Sequence, residues 1–108
     1  MKTILIAALL ALAPTLAFAE TNLEDWQKVG LEKIKGEKKV RDAIWSQGIS
    51  LWVALDDDGT KRSGFGEYLC LVLNQAGRPK GRFVAISLLD YAAMLRQEHK
   101  ELGKAICQ

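Results

Sequence analysis

The chain has 108 residues, with 15 Lys and Arg against 13 Asp and Glu, so its formal net charge is only +2. This length allows one domain and excludes a TIM barrel or a full-length dinucleotide-binding domain. The small net charge argues against a dedicated nucleic-acid binder, and a hydrophobic fraction of 49% argues against disorder.

The first nineteen residues have the pattern of a secretory signal peptide. Lys2 supplies the positive charge, and Ile4 to Ala13 is an uninterrupted apolar run that Pro14 ends. Ala17-Phe18-Ala19 is typical of a signal-peptide cleavage site. The competing interpretation is an uncleaved N-terminal anchor, but the apolar run is short of the about 20 residues that a spanning helix needs.

The predicted organisation is therefore a signal peptide over residues 1–19 and a single small domain over residues 20–108. The leader predicts a bacterial protein that is periplasmic or secreted, with no membrane-spanning segment after cleavage. A domain of this size folds alone with little margin and gains from a covalent cross-link.

The two cysteines, Cys70 and Cys107, both remain in the mature chain. An even number of cysteines in an oxidising compartment predicts one structural disulfide. The alternatives are two free buried thiols or a metal-binding pair, although two cysteines without a nearby histidine make a poor zinc site.

The predicted elements start with two helices. Thr21-Asn22-Leu23-Glu24 has the capping-box pattern and starts the first helix, which Gly36 ends. A second helix is predicted from about Glu37 to Ser46 on helical spacing. The residues that carry this spacing are Val40, Ala43, Ile44 and Gln47.

A strand, a helix and a second strand are predicted next. Ile49 to Leu55 is apolar at every second position and largely apolar between them, which predicts a strand covered on both faces. Ser63 to Asn74 reads as a strand or a helix, and its spacing favours a helix with Ser63 as the N-cap. Arg82 to Leu89 is the second buried strand.

Asp90 is then predicted to cap a helix from Tyr91 to about Leu102. Because the two buried strands flank a helix, they form a β-α-β unit whose strands run parallel. The predicted fold class is α/β or α+β: a small single domain with N-terminal helices, this unit, a C-terminal helix and one disulfide.

Five short segments of the mature chain form a pattern. They are Val40-Arg41-Asp42-Ala43-Ile44-Trp45, Leu51-Trp52-Val53, Asp57-Asp58-Gly59, Arg62-x-Gly64-Phe65 and Tyr68-Leu69-Cys70. The pattern resembles a group of small exported bacterial proteins of unknown function. The resemblance covers most of the mature chain and implies export, but it implies no activity.

The carboxyl ends of the two parallel strands form the candidate ligand edge, because ligands of α/β sheets bind there. This edge comprises Asp56, Asp57, Asp58, Lys61, Arg62 and Asp90. Three adjacent carboxylates suit Ca²⁺, but the EF-hand pattern fails because Ala54 and Phe65 occupy its first and last ligand positions. A solvated turn is the simpler interpretation, and no metal site or cofactor is predicted.

Basic and aromatic residues supply the remaining candidates. Arg78, Lys80 and Arg82 form a candidate basic contact loop for anionic head groups or an acidic partner. A solvated loop is the simpler interpretation, because three charges are fewer than a polybasic cluster contains. Trp26 is either a contact anchor or part of the core. His99 is predicted to be exposed and not catalytic, since no partner residues orient it as a general base.

The leading hypothesis is a non-catalytic periplasmic or secreted module that binds a protein or an envelope component. One alternative is a small metal-dependent or hydrolytic enzyme that uses Asp56, Asp58 and Asp90. Another is a structural subunit of an envelope complex. The sequence assigns no catalytic residue and no nucleic-acid partner, and it leaves the oligomeric state open.

Overall fold

A computed structural model describes residues 22–108, so the predicted signal peptide and the predicted cap at Thr21 lie outside the described residues. In chain order, the elements are α1 (Asp25–Lys35), β1 (Val40–Gln47), β2 (Ser50–Leu55), α2 (Ser63–Gln75), β3 (Val84–Asp90), α3 (Tyr91–Leu95) and β4 (Glu101–Cys107). No helix within residues 22–108 has the length and apolar character that crossing a bilayer requires.

The four strands form one mixed sheet in the order β1-β2-β3-β4. β1 and β2 form an antiparallel hairpin, β2 and β3 run parallel on either side of the α2 crossover, and β3 and β4 are antiparallel. The predicted β-α-β unit with parallel strands is thus confirmed, as is the small single domain that combines helices with a sheet.

Helices α1 and α2 cover one face of the sheet and enclose the core. Ile34 of α1 and Leu73 of α2 are fully buried there against the inward side chains of β2 and β3. A Cβ atom on Gly30 would lie 2.6 Å from Cδ2 of Leu73, so glycine leaves the space that this buried side chain occupies between the two helices.

The predicted disulfide joins Cys70 of α2 to Cys107 at the end of β4, with 5.6 Å between their Cα atoms. It closes a loop of 37 positions. A loop of this length corresponds to about 4 kcal/mol of lost unfolded-state entropy. The bond therefore fixes the C-terminal strand to the helical layer.

The predicted helix from Glu37 to Ser46 is wrong, because this segment contains the edge strand β1. A bulge between Val40 and Asp42 shifts the alternation, so Val40, Ala43 and Trp45 all point to the core. That spacing imitates one face of a helix. The Trp45 indole N–H donates a hydrogen bond of 3.0 Å to the Gln27 carbonyl, which fixes β1 beneath α1.

The predicted C-terminal helix is wrong beyond Leu95. Asp90 caps α3 as predicted, since its side chain accepts a hydrogen bond of 3.3 Å from the Ala92 amide. Gln97 then adopts a φ of 63°, and the Glu98 amide bonds back to the Ala93 carbonyl. This left-handed residue ends the helix and turns the chain into β4.

The starts of the two long helices also differ from prediction. α1 begins at Asp25, where the Glu24 amide donates a hydrogen bond of 2.8 Å to the Gln27 side chain. Its end at Gly36 is as predicted. α2 was correctly predicted to be a helix, but Ser63 is not its cap, because Ser63 is already the first helical residue.

Candidate functional site

The acidic edge lies where the sequence predicts, at the carboxyl ends of the parallel strands. Asp56, Asp57 and Asp58 follow β2 directly, and Asp90, the last residue of β3, is the register partner of Leu55. Asp90 is buried and caps α3. Its carboxylate therefore has a structural role in helix capping.

Each of the three turn carboxylates is bonded within the chain. Arg41 Nη1 lies 3.1 Å from both carboxylate oxygens of Asp56. Lys100 Nζ lies 2.8 Å from Asp57, which also accepts a hydrogen bond of 2.9 Å from the Gly59 amide.

Asp58 accepts hydrogen bonds from the amide and the hydroxyl of Thr60, and it lies 3.6 Å from Arg62. These local bonds are those of an Asp-rich turn.

The electrostatics of this edge favour the charged carboxylates. The hydrogen bond from Lys100 holds the pKa of Asp57 below its ordinary value, and the Thr60 hydroxyl does the same for Asp58. A general acid needs a raised pKa, so neither group is prepared to donate a proton near neutral pH. Among residues 22–108, no three His, Cys, Asp or Glu side chains are grouped to hold a metal ion.

A small open cleft of about 180 Å³ lies beside this turn, lined by Lys39, Asp56, Asp58 and Arg62. The Arg62 side chain is buried, and its guanidinium donates a hydrogen bond of 2.9 Å to the Asp56 carbonyl. Lys61 is exposed. With two acidic and two basic side chains, the cleft has no net charge with which to select an ionic ligand.

The candidate basic loop is largely occupied by contacts within the chain. Arg78 donates hydrogen bonds to the Asn74 side chain and to the Arg82 and Gln108 carbonyls. Arg82 bonds to Glu24, which holds the pKa of Glu24 below its ordinary value. Lys80 is the residue of this trio that remains exposed without a partner among residues 22–108.

The aromatic candidates also have defined places. Trp26 is buried and packs edge-to-face on Trp45 with 5.8 Å between ring centroids, so it belongs to the core. Trp52 is half-buried on the other face of the sheet, where His99 contacts its ring at a centroid distance of 5.6 Å. His99 itself is exposed, as predicted.

The sequence did not predict the feature that distinguishes this structure, which is a partly bare sheet face. On the side away from α1 and α2, the sheet presents apolar side chains from all four strands. The strand register places Ile44, Trp52, Ala85 and Ile106 on this side. Phe83 directly precedes β3 and is 39% exposed, and the alternation of an extended chain puts it on the same side as Ala85. These five residues are here called the open face. Ile44 is 56% exposed and Ile106 is 47% exposed.

Only one end of this second face is covered. Helix α3 packs across β2 and β3, and there Ala54 and Leu89 are buried together with Ala93 of α3. The expectation that β2 is covered on both faces is therefore wrong at its other end. In the sequence, the position of Ile44 between the inward residues Ala43 and Trp45 indicates the open face, but only once β1 is known to be a strand.

No protein family, curated protein or solved structure matches this chain. The function is therefore inferred from the chain's own fold and contacts.

Proposed function

We propose that this protein is exported to the periplasm or secreted, and that it acts there without catalysis by binding a protein through its open face. The observation that carries the proposal is the exposure of Ile44 and Ile106 on either side of Trp52. Exposed apolar patches that span several elements mark interaction sites in soluble proteins.

The contrast with the polar residues supports binding over chemistry. The carboxylates of the turn are hydrogen-bonded and ion-paired, and Asp90 caps a helix. No buried side-chain nitrogen or oxygen among residues 22–108 lacks a hydrogen-bond partner. The buried polar groups are thus satisfied within the chain, while the apolar groups of the open face remain largely exposed.

Export is supported by two independent features. Residues 1–19 have the signal-peptide pattern, and the Cys70–Cys107 disulfide is a bond that persists in oxidising compartments. An extracytoplasmic protein has no access to most nucleotide cofactors, which agrees with a binding role.

The test compares two matched pairs of substitutions in cell extracts. Phe83→Lys with Ile106→Lys charges the open face, whereas Val29→Lys with Leu71→Lys charges exposed positions on α1 and α2. Native periplasmic extract is first cross-linked with glutaraldehyde so that weak complexes persist, and size-exclusion chromatography then measures the size of the species that contains the protein. Circular dichroism verifies that each variant is folded.

We expect the wild-type protein and the helical-layer variant to elute in a species larger than one domain, and the open-face variant to elute as a monomer. A wild-type protein that elutes as a free monomer would contradict the proposal. Loss of the larger species in the helical-layer variant alone would do so too.

A further inference from the structure

We infer that the partner of the open face is a second copy of this chain, turned about a twofold axis perpendicular to the strands. The inference rests on the proposed function, because it names the occupant of the same surface. It starts from the shape of that surface. The five-residue helix α3 stands on one end of the sheet, and the other end is bare.

The outer side of α3 is also apolar and uncovered. Ala93 faces the sheet and is buried, whereas Ala92 and Leu95 are exposed. Leu95 is 69% exposed, the highest value among the large hydrophobic residues in the described part of the chain. One surface therefore carries an apolar helix at one end and an apolar sheet without a helix at the other.

A twofold axis perpendicular to the strands brings these complementary ends together. It reverses the strand direction, so the α3 helix of each copy lies on the bare end of the other sheet. Leu95 then meets the partner's Ala85 on β3, the strand over which α3 already lies, and Phe83 just before that strand. Twofold interfaces pair one surface with itself in this way, so both copies bury both ends.

The other ways of pairing two copies fit less well. An axis parallel to the strands would stack α3 on the partner's α3 and hold the bare ends apart. Edge-to-edge pairing through β1 is opposed by two bulges and by Asp42, whose carboxylate accepts the Ala43 amide at 2.8 Å. The outer edge of β4 is bonded at Leu102 by the Arg62 amide.

Charge does not oppose the face-to-face arrangement. Three charged strand residues, Asp42, Glu101 and Lys104, lie on this side by register, and all belong to the outer strands β1 and β4. The perpendicular axis places the two Asp42 side chains at opposite ends of the interface. The centre, which contains Trp52 and its register partner Ser87, carries no charge.

The size of the face sets the expected strength. Four strands about 4.8 Å apart and about seven residues long give on the order of 400 Å² of sheet in each copy. Two such faces together amount to about 800 Å², which is below the about 1,000 Å² that a stable interface exceeds. We therefore expect a weak, transient dimer with a dissociation constant of about micromolar or weaker.

The test is sedimentation velocity of the purified, oxidised mature protein over a range of concentrations. We expect the wild-type protein to shift from monomer to dimer, and Leu95→Glu or Phe83→Lys alone to weaken dimerisation at least tenfold. Mixing these two variants should restore a dimer, because one of its contacts pairs Glu with Lys and the other is native. Leu71→Lys on α2 is the matched control and should dimerise normally.

A dimer that survives both single substitutions, or variants that do not complement when mixed, would overturn the proposed pairing. A wild-type protein that stays monomeric at millimolar concentration would overturn the second copy as the partner. In that case, a larger species in extract that depends on Phe83 and Ile106 would leave the proposed function standing, with a different protein on the open face.

Discussion

Lys100 Nζ lies 2.8 Å from Asp57 Oδ2, although 43 positions separate the two residues in the chain. The bond joins the turn after β2 to the segment that leads from α3 into β4. The Lys100 carbonyl also accepts a hydrogen bond of 2.9 Å from the Asp90 amide. The bonds at the acidic edge therefore connect the turn after β2, the end of β3 and the segment between α3 and β4.

This ion pair predicts a specific loss of stability in acid. Lys100 holds the pKa of Asp57 below its ordinary value, so the bond adds stability above the unfolded-state pKa of about 3.9. That stability is lost as the pH falls through the lower folded-state pKa. We expect the urea midpoint of Asp57→Asn to fall less steeply below pH 4 than that of the wild-type protein. Glu32→Gln changes an exposed carboxylate on α1 and should leave the slope of the urea midpoint against pH as in the wild-type protein. Parallel curves for Asp57→Asn and the wild-type protein would contradict this role.

Two glycines of α2 provide a matched test of the packing against β4. A Cβ on Gly66 would lie 2.8 Å from Cβ of Ala105 and 3.2 Å from Cδ1 of Leu88, whereas one on Gly64 meets nothing within 4 Å. We expect Gly66→Ala to lower the free energy of unfolding by about 1–3 kcal/mol through overpacking. Gly64→Ala should raise it by about 0.5–1 kcal/mol through helix propensity. Equal effects in urea unfolding would contradict this packing.

The disulfide should contribute a large share of the stability. Reducing the Cys70–Cys107 bond frees β4 from α2, and we expect the free energy of unfolding to fall by about 2–4 kcal/mol. Urea unfolding with and without dithiothreitol measures the difference. The double variant Cys70→Ala with Cys107→Ala is the control and should not respond to the reductant. A wild-type protein whose unfolding is insensitive to reductant would show that the bond is not structural.

Export predicts a defined covalent form of the native protein. Intact-mass spectrometry of protein purified without reductant should give a chain that begins at Glu20 and lacks two hydrogens because of the disulfide. A chain that still begins at Met1, or one with two free thiols, would contradict export.

The two central strands of the sheet and their parallel pairing could be predicted from the sequence. Ile49 to Leu55 and Arg82 to Leu89 are largely apolar segments, and both correspond to the central strands with shifts of at most two residues at their ends. Their connection by a helix required a parallel pair. Strong local patterns and a topological rule were sufficient in this part of the chain.

The edge strands were not predictable by the same means. In β1, the bulge after Val40 gives inward residues a helical spacing, and the hydrogen bond from Trp45 to Gln27 is a tertiary contact that no local pattern contains. In β4, the strand forms because Cys107 is tied to α2 and Glu101 onward pairs with β3.

The candidate site likewise combines features that local sequence predicts with tertiary contacts that it does not predict. The sequence placed Asp56 to Asp58 correctly at the sheet edge, because chain order alone puts them after β2. It did not reveal that Arg41 and Lys100 bond to them, since these partners come from distant segments. The open face was missed because Ile44 and Ile106 lie on the two strands that were predicted wrongly or not at all.

We expect another protein chain to cover the open face in the cell. A photo-activatable phenylalanine analogue placed at position 106 tests it directly, with the same analogue at position 71 of α2 as the control, because both positions are exposed. After irradiation of living cells, we expect a protein adduct from position 106 and none from position 71. Adducts from position 71 alone, or from neither position, would contradict it.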